Sequence, residues 1–394
     1  MINGHGDDLW RFGRPIVANF SSNVFGGVDL TPLKEHLAGR MEAISHYPEP
    51  EPYTLEKALA AQHGIPPECV CATNGATEAI YLIAQAWRGA RSCILQPTFS
   101  EYADACRLHG HNVTGANEPP GQAGGDGTPA GNERAQAGGD DTPAGYKGTQ
   151  ARGEGTPAGN AGTRTGGDGA SYGDAGITAG NAGPDLLWLC NPNNPDGRVI
   201  PKAQLQSLIS SNPATIFVID QSYGFFTEEP LMTPQEAIEH GNVLQLHSMT
   251  KRYAMPGLRL GYVVGAKHLT DRIRAVRMPW SVNALAIEAG LYLAANPGTA
   301  PIDKAALLRE AQRLRNALNA IPGLTVAPTS THFMLCHIET RTAAELKLFL
   351  AEHHGLLIRD ASNFEGLTPG NFRIATQTTA ENDLLINAIR QYLL

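Results

Sequence analysis

The sequence predicts an α/β fold in which a mostly parallel central sheet is flanked by helices and followed by a smaller α+β region. Two patterns predict it. Up to about residue 283, short apolar runs alternate with helical stretches, as parallel strands buried on both faces do. From about residue 284, long helical stretches precede short strands. We therefore expect an N-terminal arm (1–35), a large domain (36–283) and a small α+β domain (284–394).

The elements follow in order along the chain. Residues 33–63 contain a helix, a proline-broken loop and a second helix, and another helix begins near Thr77 after a turn at Asn74. PKAQLQSLISS predicts a further helix. The apolar runs that predict strands of the large domain are CVC, SCILQPT, LLWLC, IFVID, VLQLHS and GYVVG. The small domain is predicted from ALAIEAGLYLAANP, DKAALLREAQRLRNALNAI, THFMLCHIE, GLLIRD and NFRIATQ.

Residues 121–183 interrupt this pattern with a hydrophilic repeat. TPAG recurs at Thr128, Thr142 and Thr156, a period of 14 residues. The repeat lacks the apolar residues that stacked repeats need to build a shared core. We therefore expect a disordered insertion. The GGDG stretches within it also resemble calcium-binding β-roll repeats, but those have a period of about nine residues.

The composition argues against several classes of protein. The 394 residues carry a formal net charge of −8, which argues against a nucleic-acid surface. No apolar run approaches the roughly 18 residues of a membrane span, and the N-terminal stretch MINGHGDDLWRFGR has no apolar signal core. We expect a cytoplasmic protein. The six cysteines form no CxxC pair, so reduced, buried thiols are expected in preference to a metal site.

Polar motifs follow several predicted strands. Asn74-Gly-Ala-Thr-Glu78 opens a helix with free N–H groups that suit a phosphate, unless it is an ordinary strand–helix turn. Asn191-Pro-Asn-Asn-Pro-Asp-Gly197 is either a plain turn or a turn that aims an amide into a cleft. Asp220 ends IFVID, either as a helix cap or as a carboxylate facing a ligand. Ligands of parallel sheets bind at the carboxyl ends of strands, where these motifs lie.

A lysine flanked by a hydroxyl residue and an arginine follows the run VLQLHS. The segment HSMTKRYAMPGLRLGY places Lys251 between Ser248 and Arg259. A surface lysine is the ordinary interpretation. However, a nearby cation such as Arg259 lowers the pKa of a lysine. An amine forms an imine only when it is unprotonated, so a lowered pKa favours this reaction. Each motif is weak alone, and their order along the chain is the stronger observation.

In this order the motifs resemble the fold-type I enzymes that use pyridoxal 5′-phosphate, the class I/II aminotransferase superfamily, over nearly the whole chain except the insertion. On this resemblance Lys251 matches the lysine that binds the cofactor aldehyde. Asp220 matches the carboxylate that keeps the pyridine nitrogen protonated. Asn194 matches the asparagine bonded to the 3′-oxygen, with Tyr223 beside it, and Phe99 matches the aromatic that stacks on the ring. The residues that match the cofactor-phosphate cradle are Ala76, Thr77, Ser248 and Arg259.

The same resemblance implies a substrate and a partner. Arg373 matches the arginine that binds the substrate carboxylate, and Arg359 completes a pair that suits a carboxylate and a phosphate; a surface salt bridge is the alternative for Arg359. The family forms homodimers with active sites at the interface. We expect a homodimer in which Tyr53 contacts the neighbouring subunit's cofactor phosphate, although relatives place this tyrosine one position earlier. His5 is a further candidate phosphate contact, with a flexible terminus as the alternative.

Within the superfamily, several stretches are most similar to the threonine-phosphate decarboxylases of cobalamin synthesis: HGDD, NFSSN, NGATEAI, PTFSEY, MPWSVNALA, LLIRDASNFEGL and FRIATQTTAENDLL. Histidinol-phosphate aminotransferases are the alternative, since the paired arginines occur in both groups. A non-catalytic regulator that binds pyridoxal phosphate is a third, but those proteins usually carry a helix-turn-helix domain in front. Two departures, PNNPDG for PNNPTG and DQSY for DEAY, keep the contacting residues. The expected substrate is a small phosphorylated amino acid or amine.

Overall fold

A computed structural model describes residues 6–13, 15–117 and 183–394, all of them within one compact unit. Residues 118–182, which include nearly all of the predicted insertion, lie outside these ranges, as does His5. The expectations for those residues stay predictions, and so does the division into an arm and two domains. None of the described helices is both long and apolar enough to cross a bilayer.

Thirteen strands and twelve α-helices make up the described part of the chain. The strands are β1 (Ala18–Asn19), β2 (Val70–Thr73), β3 (Arg91–Gln96), β4 (Asn112–Asn117), β5 (Leu186–Cys190), β6 (Ile216–Asp220), β7 (Val243–Ser248), β8 (Gly261–Gly265), β9 (Leu324–Val326), β10 (Phe333–Ile338), β11 (Leu356–Leu357), β12 (Arg359–Asp360) and β13 (Asn371–Ala375). The helices are α1 (Thr31–Ala38), α2 (Tyr53–His63), α3 (Gly75–Ala86), α4 (Glu101–Leu108), α5 (Lys202–Ser211), α6 (Pro234–His240), α7 (Met249–Arg252), α8 (Lys267–Arg274), α9 (Ala284–Ala295), α10 (Lys304–Asn319), α11 (Ala343–Phe349) and α12 (Thr379–Leu393).

Seven strands form the central sheet in the order β2-β8-β7-β6-β5-β3-β4. The strands from β4 to β7 run parallel, and β8 is antiparallel to both β7 and β2. The sheet is therefore mostly parallel, and each apolar run predicted for the large domain forms one of its strands. Sequence patterns missed the edge strand β4, because NVTGAN is largely polar and its described side chains are exposed or half-buried.

Both faces of this sheet are buried. All five residues of β5 are buried, and its side chains alternate between two apolar clusters. Trp188 packs in the cluster that contains Ile83 of α3, whereas Leu187 and Leu189 pack with residues of α5 and α6. Helices on both sides explain why the strands read as continuous apolar runs. Five of the six cysteines are buried, and Cys93 is half-buried.

A second, antiparallel sheet has the order β12-β13-β10-β9. Helices α10, α11 and α12 contribute to the apolar cluster that contains Phe372 of this sheet. Capping boxes at Thr342 and Thr378 begin α11 and α12. Near the N-terminus, β1 pairs in parallel with β11. The described C-terminal part of the chain thus has the predicted α+β character.

The carboxyl ends of three neighbouring strands position the candidate site. Cys190 of β5 pairs with Asp220 of β6, and β7 beside them ends in Ser248. Gly261, the first residue of β8, pairs with Ser248 on one side and with Thr73 on the other. The start of α3, which follows β2, is thereby brought next to the end of β7.

Candidate active site

A cavity of about 300 Å³ lies at this edge of the sheet. Of the twelve site residues predicted from the sequence, eleven line it, and Tyr53 does not. Tyr53 is 57% exposed on the surface of the chain. The cavity-lining residues among the predicted set are Ala76, Thr77, Phe99, Asn194, Asp220, Tyr223, Ser248, Lys251, Arg259, Arg359 and Arg373.

The N-terminus of α3 and Arg259 form one end of the cavity. Gly75 opens the helix with φ +80°, and a Cβ on it would lie 2.5 Å from an Arg259 guanidinium nitrogen. A Cβ on Gly261 would lie 2.6 Å from the backbone nitrogen of Ala76. These two glycines therefore allow the guanidinium and the helix terminus to approach each other. Free N–H groups and the helix dipole favour an anion at this point.

Two hydroxyl groups complete this end. Thr77 lies in the first turn of α3, Ser248 ends β7, and both half-buried side chains line the cavity. Arg259 itself adopts a left-handed conformation, φ 55°, and donates to the Pro256 carbonyl at 3.2 Å. The combination of a guanidinium, two hydroxyls and a helix N-terminus is the donor set that a phosphate ester requires.

Asp220 lines the cavity and is 5% exposed. Its Oδ2 accepts a hydrogen bond from the Tyr102 hydroxyl at 2.7 Å, and its Oδ1 accepts one from the Ser222 backbone at 2.8 Å. Burial raises the pKa of Asp220, while these two donors and Lys251 oppose the rise. The bonds fix the carboxylate in one orientation, and a protonated ring nitrogen facing it would supply the missing cation.

Tyr102 is a site residue that sequence reasoning missed. It lies in the first turn of α4, and its ring is perpendicular to that of Phe99, with centroids 5.9 Å apart. Burial strongly raises the pKa of Tyr102, and the neighbouring Asp220 raises it further, so the phenol remains a donor. The only sequence signal was its position three residues after Phe99, whose carbonyl accepts a hydrogen bond from the Tyr102 backbone at 3.3 Å.

Lys251 projects from α7 into the cavity. Its Nζ donates to the Ser22 carbonyl at 2.8 Å and lies 6.0 Å from the centre of the Tyr223 ring. Burial lowers the pKa of Lys251 to about 8, and the cationic groups of Arg373 and Arg259 add to this effect. An amine with this pKa is partly neutral near physiological pH, as attack on an aldehyde requires.

The lowered pKa of Lys251 predicts a pH profile for the cofactor-free protein. Labelling of Lys251 by an acylating reagent should be half-maximal near pH 8, against about 10.4 for the same lysine in the denatured chain. Between these values the unfolded chain holds a proton that the folded protein has released. Lys251 therefore makes the protein more stable as pH rises through this window. Mass spectrometry of labelled peptides measures both midpoints, and equal midpoints would contradict the prediction.

Two arginines form the other end of the cavity. Arg359 of β12 and Arg373 of β13 are directly paired across the strands, so their side chains share one face. They are 7% and 5% exposed, and among the described residues neither forms an ion pair with a carboxylate within 4 Å. Burial lowers the pKa of each guanidinium to about 10. Buried cations without a counter-ion favour the binding of anions.

The hydrogen bonds of Arg373 connect it to the motif around Asn194. One guanidinium nitrogen donates to Asn194 Oδ1 and another to the Ser21 carbonyl, while Nε is buried without a partner among the described residues. Arg359 donates to Asn363 Oδ1 at 2.8 Å. Both guanidinium groups are therefore held by neutral acceptors, which leaves their charge available to a ligand.

The turn that carries Asn194 is fixed by Gly197. This glycine has φ +75°, and a Cβ on it would lie 2.0 Å from Thr329 Oγ1. The Ser330 backbone donates to its carbonyl at 3.1 Å. The turn therefore packs directly against the loop that precedes β10 and presents Asn194 to Arg373. The aspartate in PNNPDG accepts a hydrogen bond from Asn193 Nδ2 at 2.9 Å, so it stabilises the turn from within.

Comparison with known proteins places the chain in a family. The profile of the aminotransferase class I and II family matches residues 15–119 and 175–389. Threonine-phosphate decarboxylase of Salmonella typhimurium is 28% identical over 382 residues, which cover 95% of this chain and 91% of that protein. The crystal structure of L-threonine-O-3-phosphate decarboxylase from Porphyromonas gingivalis is similar with a TM-score of 0.78 and 35% identity, covering 96% of this chain and 99% of that one. Histidinol-phosphate aminotransferase from Sinorhizobium meliloti, solved in complex with pyridoxal 5′-phosphate, has a TM-score of 0.77 at 17% identity and covers 100% of this chain and 95% of that one.

Proposed function

The chain belongs to the aminotransferase class I and II family and is an enzyme that uses pyridoxal 5′-phosphate, and we propose that it decarboxylates L-threonine O-3-phosphate to aminopropanol phosphate. The proposed substrate is supported mainly by the pair of buried arginines, Arg359 and Arg373. They face the cavity without a carboxylate partner among the described residues. Two such cations match a small substrate with one carboxylate and one phosphate.

The cavity residues fit the cofactor at both of its polar ends. Ala76, Thr77, Ser248 and Arg259 would hold its phosphate, and Asp220 would keep its ring nitrogen protonated. Phe99, Asn194 and Tyr223 would orient the ring. The cofactor, when bound through Lys251, supplies an electron sink for a carbanion at the substrate Cα.

The chain's own groups then determine which bond reacts. Arg373 would hold the substrate carboxylate and Arg359 its phosphate, so that the Cα–carboxylate bond has one fixed orientation. In decarboxylation this bond breaks, carbon dioxide leaves, and its electron pair stays at Cα. The Lys251 amine, which burial keeps partly neutral at about pH 8, can carry the proton that Cα then accepts. Tyr102 and the Ser222 backbone would hold the Asp220 carboxyl group in place throughout.

Transamination of the histidinol-phosphate type is the second candidate, because the same arginines also suit a phosphorylated amine and a dicarboxylic acceptor. Among the solved structures compared with this chain, sequence identity favours the decarboxylase. The solved decarboxylase is 35% identical over nearly the full chain, whereas the solved aminotransferase with bound cofactor is 17% identical. As a decarboxylase, the protein would supply aminopropanol phosphate to cobalamin synthesis.

Incubation with threonine phosphate tests this choice. We expect carbon dioxide and aminopropanol phosphate to form continuously without any added 2-oxo acid, because decarboxylation needs no amino acceptor. Carbon dioxide release and keto-acid formation are measured in parallel, with and without 2-oxoglutarate, and with histidinol phosphate as the comparison substrate. If turnover requires 2-oxoglutarate, the protein is an aminotransferase and the proposed decarboxylase activity is wrong.

We further propose that the enzyme is a homodimer. Four large exposed side chains, Tyr47, Tyr53, Met278 and Trp280, lie on two segments of the surface that we call the exposed patch. The rings of Tyr47 and Trp280 lie 5.4 Å apart, and the Trp280 backbone donates to Pro50 at 2.9 Å, so the two segments are adjacent. Next to Trp280, the Ser281 hydroxyl contacts Glu78 of α3 at 3.4 Å. The patch thus borders the helix that would hold the cofactor phosphate, where Tyr53 of the partner subunit would bind.

A charge in this patch should separate the subunits. Tyr47 is 86% exposed, so Tyr47→Glu should leave the monomer folded while it places an unpaired charge in the interface core. We expect a shift from dimer to monomer in light scattering and at least about tenfold weaker cofactor binding, as one lost hydrogen bond to a phosphate predicts. Leu384→Glu, at a site 53% exposed on α12, is the matched control. A Tyr47→Glu variant that remains dimeric would locate the interface elsewhere.

A further inference from the structure

A group of buried polar side chains lies behind the cavity. Asn23, His332 and Thr376 are each 0% exposed. Five of their side-chain atoms have no hydrogen-bond partner of good distance and angle among the described residues: Nδ2 and Oδ1 of Asn23, Nδ1 and Nε2 of His332, and Oγ1 of Thr376. The Asn23 side chain does approach Tyr223, and the His332 ring approaches the Asn23 main chain. None of the three residues lines the cavity itself, but the Asn23 side chain interacts with Tyr223, which does.

Strand pairing brings these side chains together. β10 and β13 pair Phe333 with Ala375, and the Thr376 backbone donates to the His332 carbonyl at 2.7 Å. His332 and Thr376 are therefore the next cross-strand pair, with side chains on the same face. The imidazole of His332 also lies close enough to the Asn23 main chain to be influenced by it.

The imidazole of His332 is neutral in this environment. Its ring lies against Phe226, with centroids 4.0 Å apart. Burial lowers the pKa of His332 to about 3, and although the Asn23 main chain opposes this, the charges of Lys251 and Arg373 add to it. A neutral imidazole has one donor and one acceptor nitrogen, so it needs a partner that can both accept and donate. Water has both properties.

We propose that Asn23, His332 and Thr376 bind internal water behind the active site, and that His332 thereby acts as a positioning residue for the backbone from Ser21 to Asn23. A buried polar atom without a partner is costly, and five together would be comparable with the stability of a typical folded protein. An internal water usually makes about three hydrogen bonds to such atoms. The five protein atoms supply the donors and acceptors that such water requires.

The backbone that this water would hold touches both reactive cations. Arg373 donates to the Ser21 carbonyl, and Lys251 donates to the Ser22 carbonyl at 2.8 Å. Asn23 follows with φ 53°, a left-handed conformation that asparagine tolerates better than most residues. A fixed Asn23 side chain would therefore keep the two carbonyls in place.

Thermal unfolding of the cofactor-free protein tests the water site through the sign of the shift. Thr376→Val and His332→Phe nearly preserve shape but remove hydrogen-bonding atoms. If water is bound, each variant strands the remaining partners, and the melting temperature should fall by roughly 2 °C or more. If the group is dry, each variant removes unpaired atoms, and the melting temperature should rise. Thr270→Val, which loses a direct hydrogen bond to Glu68, calibrates the size of a fall.

The positioning role has its own measurement. In His332→Phe the Ser22 carbonyl should be held less firmly, and the protonated Lys251 amine loses an acceptor. Its labelling midpoint should then move below pH 8, by on the order of half a pH unit. His332→Asn, which supplies a donor and an acceptor, should restore the midpoint, whereas a purely structural role would leave it unchanged in all variants. Raised melting temperatures would overturn the water site, and an unmoved midpoint would overturn the positioning role. Neither measurement depends on which reaction the enzyme catalyses.

Discussion

Replacing Lys251 with alanine is expected to abolish covalent binding of pyridoxal 5′-phosphate and to lower turnover by at least about 100- to 10,000-fold, the usual contribution of one acid–base group. The loss should be this large because the amine has two tasks. It holds the cofactor aldehyde, and it carries a proton at Cα. Its burial, its lowered pKa of about 8 and its position between Ser22 and the Tyr223 ring all serve these tasks.

Borohydride reduction followed by peptide mass spectrometry measures the covalent link directly. The native protein should carry reduced cofactor on the peptide that contains Lys251, and the variant should carry none. Lys304→Ala is the matched control, because Lys304 also donates to a main-chain carbonyl, that of Thr227 at 3.0 Å, but does not line the cavity. Label on a different lysine in the native protein would show that the assignment is wrong.

Sequence patterns were sufficient where a motif follows a strand. The runs LLWLC, IFVID and VLQLHS are continuous apolar stretches because helices cover both faces of the sheet. Each run ends at the same edge of the sheet. The polar residues that follow the runs therefore lie close together, whatever conformation the loops adopt. Asp220 and Ser248 were predictable in this sense, and the structure brings them into one cavity.

Contacts that depend on how strands pair and how distant segments pack could not be predicted from composition or from hydrophobic periodicity. Arg359 and Arg373 are fourteen residues apart in sequence, and only the antiparallel pairing of β12 with β13 makes them direct neighbours. Tyr102 and Asp220 are 118 residues apart in sequence, and only the fold brings their side chains into hydrogen-bond contact. Asn23 and His332 are more than 300 residues apart in the sequence and meet because the chain after β1 passes beside the start of β10.

Tyr53 illustrates a different limit. Its predicted role requires a second subunit, and a single chain places it on an exposed surface at the start of α2. The nearby ion pair between Glu51 and Arg277, 3.8 Å, and the bond from Trp280 to Pro50 hold the segment before it against the chain that precedes α9. These contacts fix the surface around Tyr53 within the single chain, and the role of Tyr53 is tested only together with the oligomeric state.

Replacing Arg373 with methionine is expected to lower kcat/KM for threonine phosphate by about 30- to 5,000-fold. This range corresponds to the roughly 2 to 5 kcal/mol lost when one member of a buried, hydrogen-bonded charge pair is removed. The effect should be large because Arg373 is 5% exposed, and methionine would leave the substrate carboxylate desolvated without a cation. Steady-state kinetics gives kcat and KM, and a melting curve checks that loss of the bonds to Asn194 and Ser21 has not unfolded the protein.

The reaction product separates the tasks of the two arginines. Aminopropanol phosphate keeps the phosphate of the substrate but lacks its carboxylate. If Arg373 binds the carboxylate, Arg373→Met should weaken binding of the substrate. Inhibition by this product should stay within a few-fold of its native value. Arg359→Met should weaken binding of both the substrate and the product, since both carry the phosphate. Because the two guanidinium groups are cross-strand neighbours, the double variant should lose more than the sum of the single effects if one arginine partly replaces the other. Equal loss of product inhibition in both single variants would mean that Arg373 binds the phosphate, and the assignment of the pair would have to be reversed or shared.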